Sequence, residues 1–195
     1  MIEKMAKSLV VWQTKKKYLS EKDCNLYIYG YELLIGQVVN LFIACFLAFV
    51  FGAYLTVIVF LLTFIPLRSY AGGHHADSYN VCTIISNIII CAVCVAAKVI
   101  PKEMVFLMNI TAGIVSGILI FRLAPVENHN KRLELIEKKH HRKYSILIWG
   151  IESIIWILAY YLEAKDVSFA VTSGHLSLSV LLCAGVLKNK FLSKD

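Results

Sequence analysis

Six long apolar runs divided by short polar stretches constrain this chain of 195 residues more than any other feature. They cover about 33–51, 54–67, 81–100, 103–121, 145–162 and 167–187. Crossing roughly 30 Å of hydrocarbon takes about 20 apolar residues in a helix, fewer where flanking side chains snorkel. Inside lipid each backbone N–H and C=O must find a partner within its own segment, which these runs can do only as helices. The expected fold class is therefore all-α: a polytopic membrane protein with about six transmembrane helices. The narrowest separation is Gly52–Ala53, where one bent segment would fill the same stretch. Composition agrees, with 58% apolar and only 17% charged residues, against a usual charged share of about 25%. Mean hydropathy is +0.68. So small a soluble globule does not carry that much apolar surface, and disorder needs far less of it. A single integral membrane domain over 1–195 is expected, with a cytoplasmic or interfacial segment 1–32 ahead of a six-helix region 33–187.

The charges serve topology. Lys and Arg number 20 against 13 Asp and Glu, but they fall in blocks between apolar runs, without the basic, aromatic-interleaved stripe that would mark a nucleic-acid partner. Segment 1–32 holds six basic residues, 68–80 one, 122–144 seven and 188–195 three, while the other face has only Lys98, Lys102 and Lys165. The positive-inside rule then puts both termini in the cytoplasm. Ahead of the first span, Ile2, Met5, Leu9 and Val10 alternate with Glu3, Lys4 and Lys7. That is the pattern of an amphipathic helix lying in the interface, lysines toward anionic headgroups, with the bilayer as its partner. Met1–Tyr18 has no long apolar core, so no cleavable signal peptide is expected. Cys45, Cys91, Cys94 and Cys183 lie in apolar runs and read as small buried hydrophobes. Gly113 and Gly117 permit close helix approach, for a homodimer or for internal packing. His175, costly within a span, is read as an interhelical hydrogen-bonding group, and His129, His140 and His141 as solvated.

One segment carries chemistry. Between the second and third spans, Arg68 to Cys82 packs Gly72, Gly73, His74, His75, Asp77 and Cys82 together. A Cys–His pair supplies a thiolate nucleophile and a general base. On one continuous helix His75 and Cys82 would sit ~10 Å apart along the axis. The pair works only if the chain folds back, and Gly72, Gly73, Asp77, Ser78 and Asn80 are turn formers. Cys82 then opens the third span, where the positive end of the helix favours thiolate. Spacing alone does not choose between His74 and His75. An H-H-x-D run lacks zinc-ligand spacing, so neither metal nor cofactor is expected. Asp77 is read first as a turn residue or helix cap and second as an orienter of His75. Arg68 has three readings of equal weight: binding a substrate carboxylate, orienting the loop, or anchoring the second span at the headgroups. Lys131 and Arg132, in the basic loop 122–144, serve topology or recruit an acidic substrate. A small six-span transporter or channel, lined by Arg68, His75, Asp77 and His175, is the alternative class; few charged groups at mid-span count against it.

The run from Arg68 through Gly72-Gly73-His74-His75-Ala76 to Cys82 resembles the signature of the AgrB family, accessory gene regulator B membrane endopeptidases. The family pattern is an Arg, then Gly-Gly-x-His-Ala, then a Cys seven residues after the His. Ala124-Pro125, Asn128 or Asn130, and Lys131-Arg132 are similar to a second family feature, and length and hydropathy extend the likeness over nearly the whole chain. The resemblance selects His75 as the base, since His74 falls on the variable position, and Cys82 as the nucleophile. It implies a quorum-sensing propeptide of AgrD type as substrate, with an amphipathic leader, a central Cys or Ser and an acidic tail. Cleavage at the middle–tail junction would leave a thioester on Cys82, and the propeptide's own thiol or hydroxyl would close a thiolactone or lactone ring. Backbone N–H groups at Gly72–Gly73 or at the start of the third span are the candidate oxyanion donors.

The topology is testable by cysteine-accessibility labelling in a background without native cysteines. Positions 15 and 135 are expected to label from the cytoplasm and position 165 from outside; labelling of 15 and 135 from opposite sides would contradict the six-span arrangement.

Overall fold

The computed structural model describes residues 2–20, 23–73, 79–127 and 134–192. Among them are seven helices: α1 (Ile2–Lys15), α2 (Cys24–Phe51), α3 (Tyr54–Ala71), α4 (Tyr79–Val99), α5 (Val105–Leu123), α6 (Leu135–Tyr161) and α7 (Lys165–Leu192). Helices α2 to α7 are each long and apolar enough to cross a bilayer, which is the expected six-span architecture. In α1, Ala6 and Val10 are buried while Met5, Leu9 and Trp12 stay exposed, and Gln13 donates to the Tyr31 hydroxyl of α2 at 2.6 Å. One turn apart on its polar side, Lys7 donates to Glu3; that bond, more than the charge alone, holds the Glu3 carboxyl below its ordinary range.

The break at Gly52 is real. Its backbone is left-handed (φ 57°, ψ 35°) and its N–H closes onto Ala48 O and Phe49 O, which ends α2 before α3 begins. Three boundaries differ from expectation. Helix α2 starts at Cys24, well ahead of residue 33, because Asn25, Gly30 and Glu32 dilute hydropathy without breaking a helix whose exposed Tyr27 and Tyr29 suit the interface. Helix α3 runs through Pro66 to Ala71, so Arg68 lies on its last turn, not in a loop. Helix α6 begins at Leu135, closed by a reciprocal capping box between Glu134 and Glu137, and continues without a break into the span.

Helix α7 is the axis of the bundle: it touches α3, α4, α5 and α6, and most of its span is buried. Apolar burial between helices gains little when the surroundings are themselves apolar, so close packing and hydrogen bonds must do the joining. Both are present. The buried Asn109 amide donates to Ser168 Oγ and accepts from Thr172 Oγ1 at 2.7 Å. Ser168 Oγ donates onward to Trp156 O at 3.0 Å, and Trp149 Nε1 donates to Ser116 Oγ at 2.9 Å. His175 Nε2 lies 3.0 Å from Glu152 Oε2, both buried, so His175 does bond between helices. Glu152 corrects the expectation of sparse charge at mid-span: it is there, and it is partnered. Gly113 and Gly117 turn out to pack internally. A Cβ on Gly117 would stand 2.7 Å from the Trp149 ring, and one on Gly113 3.5 Å from Trp156. Cys94 is buried as expected, whereas Cys45 and Cys183 are exposed on the outer helix faces, where lipid accepts a thiol as readily as a core does.

Breaking the buried pair from one side leaves a polar or charged partner stranded. His175→Ala or Glu152→Ala is expected to cost roughly 3–5 kcal/mol each, while the double replacement by Leu and Met costs less than the sum. Melting temperatures in detergent read this out; additive losses would mean the two side chains do not couple.

Candidate active site

Helix α3 ends where it must hand its last carbonyls to something other than itself. Gly72 N–H returns to Arg68 O at 3.1 Å. Ala71 O accepts from Val126 N–H at 3.0 Å, and Gly73 N–H donates to Val126 O at 3.2 Å, so residues 71–73 pair in parallel with the segment after α5. That segment enters through a cis Ala124–Pro125 peptide. Arg68, on the last turn of α3, folds its guanidinium over the end and donates from Nη1 to Gly72 O. Tyr70 O lies 3.4 Å from His141 Nδ1 of α6.

Only glycine fits the turn. Gly72 has φ 73° and ψ −143°, and a Cβ there would meet Val126 O at 2.2 Å. Gly73 has φ 114°, and its Cβ would stand 3.0 Å from Leu181 O of α7 and 3.3 Å from Arg68 Nη1. Beneath the turn a sealed apolar cluster of Leu67, Ala71, Ile120, Ala124, Leu178 and Leu182 joins α3, α5 and α7. The turn is thus clamped from three helices.

Cys82 stands in the first turn of α4 with its side chain exposed. His74, His75 and Asp77, on the connecting segment, lie outside the described residues, as do Asn128, Asn130, Lys131 and Arg132. Of the expected site residues, Arg68, Gly72 and Gly73 are brought together at the end of α3, and Cys82 stands at the start of α4. Neither Gly72 nor Gly73 has its N–H to spare, since both donate within the fold.

Sequence reading missed the ring cluster that backs the site. Tyr70 stacks on Tyr144 (centroids 5.3 Å) and meets His141 at 5.5 Å, while His140 packs on Tyr144 at 4.4 Å. His141 is half-buried rather than solvated. The signal was available: His140, His141 and Tyr144 sit on adjoining faces of one helical turn just before an apolar run, which is where a span meets its neighbours' ends. Two further ties hold the Val126 segment: Lys138 pairs with Glu127 at 2.9 Å, and Asn189 of α7 donates to Glu127 O at 2.9 Å.

Gly72→Ala is expected to destabilise the protein by roughly 1–3 kcal/mol from the backbone alone, with the contact on Val126 O adding to it. Gly30→Ala, whose Cβ would meet nothing within 4 Å, should be neutral or slightly stabilising. Equal melting temperatures for the two variants would refute the clamped turn.

The chain matches the family described as Accessory gene regulator B over residues 2–184. It is 27% identical over 189 residues to AgrB-like protein 2 of Clostridium perfringens (strain 13 / Type A), covering 89% of this chain and 87% of that protein. It is 26% identical over 172 residues to an AgrB-like protein of Clostridium perfringens (strain SM101 / Type A), covering 83% and 79%. No solved structure matches it.

Proposed function

The chain belongs to the accessory gene regulator B family, and on that premise we propose that it is a membrane cysteine endopeptidase, with Cys82 as nucleophile and His75 as general base. Family membership implies work on an AgrD-type peptide in a membrane setting. The observation that carries the finer reading is the exposed Cys82 thiol in the first turn of α4, the helix that follows a turn only glycine can build.

In this reading the Cys82 thiolate attacks the carbonyl at the junction between the propeptide's middle and its acidic tail. A C–S bond forms, the C–N bond breaks, and the His75 imidazolium gives its proton to the departing amine. The propeptide's own thiol, deprotonated by the same imidazole, then attacks the thioester, and Cys82 leaves as thiolate while the thiolactone closes. A hydroxyl in place of that thiol would give a lactone. Thioester exchange is close to balanced in energy, so excluding water matters, and a site at the membrane surface helps to do so. With the Gly72 and Gly73 N–H groups already donating, the start of α4 is the better of the two oxyanion donors. Arg68, bonded to Gly72 O, acts as the orienter of the loop. Asp77 caps or turns the chain ahead of α4, and Lys131 and Arg132 contribute to recruiting the acidic tail. The positive-inside pattern supports a cytoplasmic site and cytoplasmic termini.

Co-expression with the cognate propeptide and mass spectrometry of the released tail tests this. Cys82→Ala should insert and accumulate but not cleave. His75→Ala should be inactive, and His74→Ala should keep substantial activity. With a propeptide whose ring-forming Cys is changed to Ala, the N-terminal part should collect on Cys82 as a hydroxylamine-labile adduct. Cleavage by Cys82→Ala, or an adduct on another cysteine, would sink the mechanism.

A further inference from the structure

Helices α5 and α6 run antiparallel and meet where Trp149 and Trp156 lie over Gly117 and Gly113. Beside that seam a groove of about 720 Å³ opens on the outer face of the bundle. It is floored by the two glycines and flanked by Ile114, Ile118, Phe121 and Ile157. At its mouth, on the end that carries the α3 turn, stands the exposed Arg122. Arg142 of α6 is adjacent, donating to Phe121 O at 2.8 Å. Among the described residues no acidic side chain pairs with either arginine.

We propose that this groove binds one anionic glycerophospholipid. Its acyl chain lies along the glycine floor, and its phosphate rests on Arg122 and Arg142. Length favours that occupant over a second copy of the chain. From Ile110 to Arg122 the groove follows about 18 Å of helix. That is near the depth of one leaflet, whereas a partner helix would seat along about 30 Å. Charge favours it too. Two arginines without acidic partners at an interfacial mouth match a lipid phosphate. The positive-inside pattern puts this mouth in the cytoplasmic leaflet, where anionic lipids are found.

The chain has three tryptophans, of which two line the groove. Full-length protein carrying Trp12→Phe, in phosphatidylcholine nanodiscs, therefore reports on the groove alone when the acyl chains of a minor lipid are brominated to quench indole. Brominated phosphatidylglycerol should quench at about one-fifth the mole fraction that brominated phosphatidylcholine needs, the preference expected for roughly one arginine near the surface. Arg122→Lys should keep the preference and Arg122→Gln should reduce it; adding Arg142→Gln should abolish it. Arg122 makes no bond that its replacement would break, so the single variant stays informative if the double one unfolds. Equal quenching by the two lipids in the parent protein overturns the proposal, as does a phosphatidylglycerol preference that survives Arg122→Gln unchanged. Quenching by both lipids that fades as protein is crowded into each disc would assign the groove to a second copy instead.

Discussion

The carbonyls at the end of α3 organise this end of the molecule. A helix leaves its last C=O groups without intrahelical donors, and at a membrane surface packed against other helices water is an unreliable substitute. Here each donor comes from a different place. Arg68 O takes the Gly72 N–H, Tyr70 O faces the His141 ring, Ala71 O takes the Val126 N–H, and Gly72 O takes the Arg68 guanidinium. Meeting these needs fixes the segment after α5, the start of α6 and the side chain of Arg68 in one stroke. It also explains the paired glycines, since the chain must run close enough to Val126 and to the α7 backbone that a side chain would collide.

The polar core of the span region follows the same logic at greater depth. Asn109, Ser116, Glu152, Ser168, Thr172 and His175 are all buried, and they sit on three helices that meet around α7. In water such residues would weaken a core of this size; in lipid they are what makes three apolar helices prefer one arrangement. Because α7 carries Leu181 under Gly73 and His175 against Glu152, the register set at mid-span is transmitted to the turn at the surface. The pair is thus a positioning device for α7.

Much of this was legible in the sequence. Hydropathy located all six spans, because a run of about 20 apolar residues has few alternatives. The Gly72–Gly73 turn and Cys82 stood out by residue type. Helix ends were less legible. Hydropathy drops where Asn25, Gly30 and Glu32 enter α2, though nothing there opposes helix, and α6 starts inside what composition marks as a charged loop. Pairings across the fold were not legible at all. Glu152 looks like one carboxylate in an apolar run until His175 is seen against it, and His141 looks solvated until Tyr70 closes over it. Both depend on how helices rotate about their axes, which a single sequence with this much apolar surface on every face does not specify.

The geometry also separates the three roles open to Arg68. An arginine that binds a substrate tail must present its fork to solvent. Arg68 is half-buried, and one of its N–H groups is committed to Gly72 O. That bond ties its side chain to the rigid turn, which supports the orienting role. An acidic tail must then be met elsewhere. Lys138 is occupied by Glu127 and Arg142 by Phe121 O, but Lys139 and Lys143 project from the exposed first turns of α6, on the same helix as the rings that hold Tyr70. On the proposed reading, that helix would both brace the turn and present charge to the peptide. Binding and catalysis would then share one support, and a substrate tail drawn to α6 would arrive beside the end of α3.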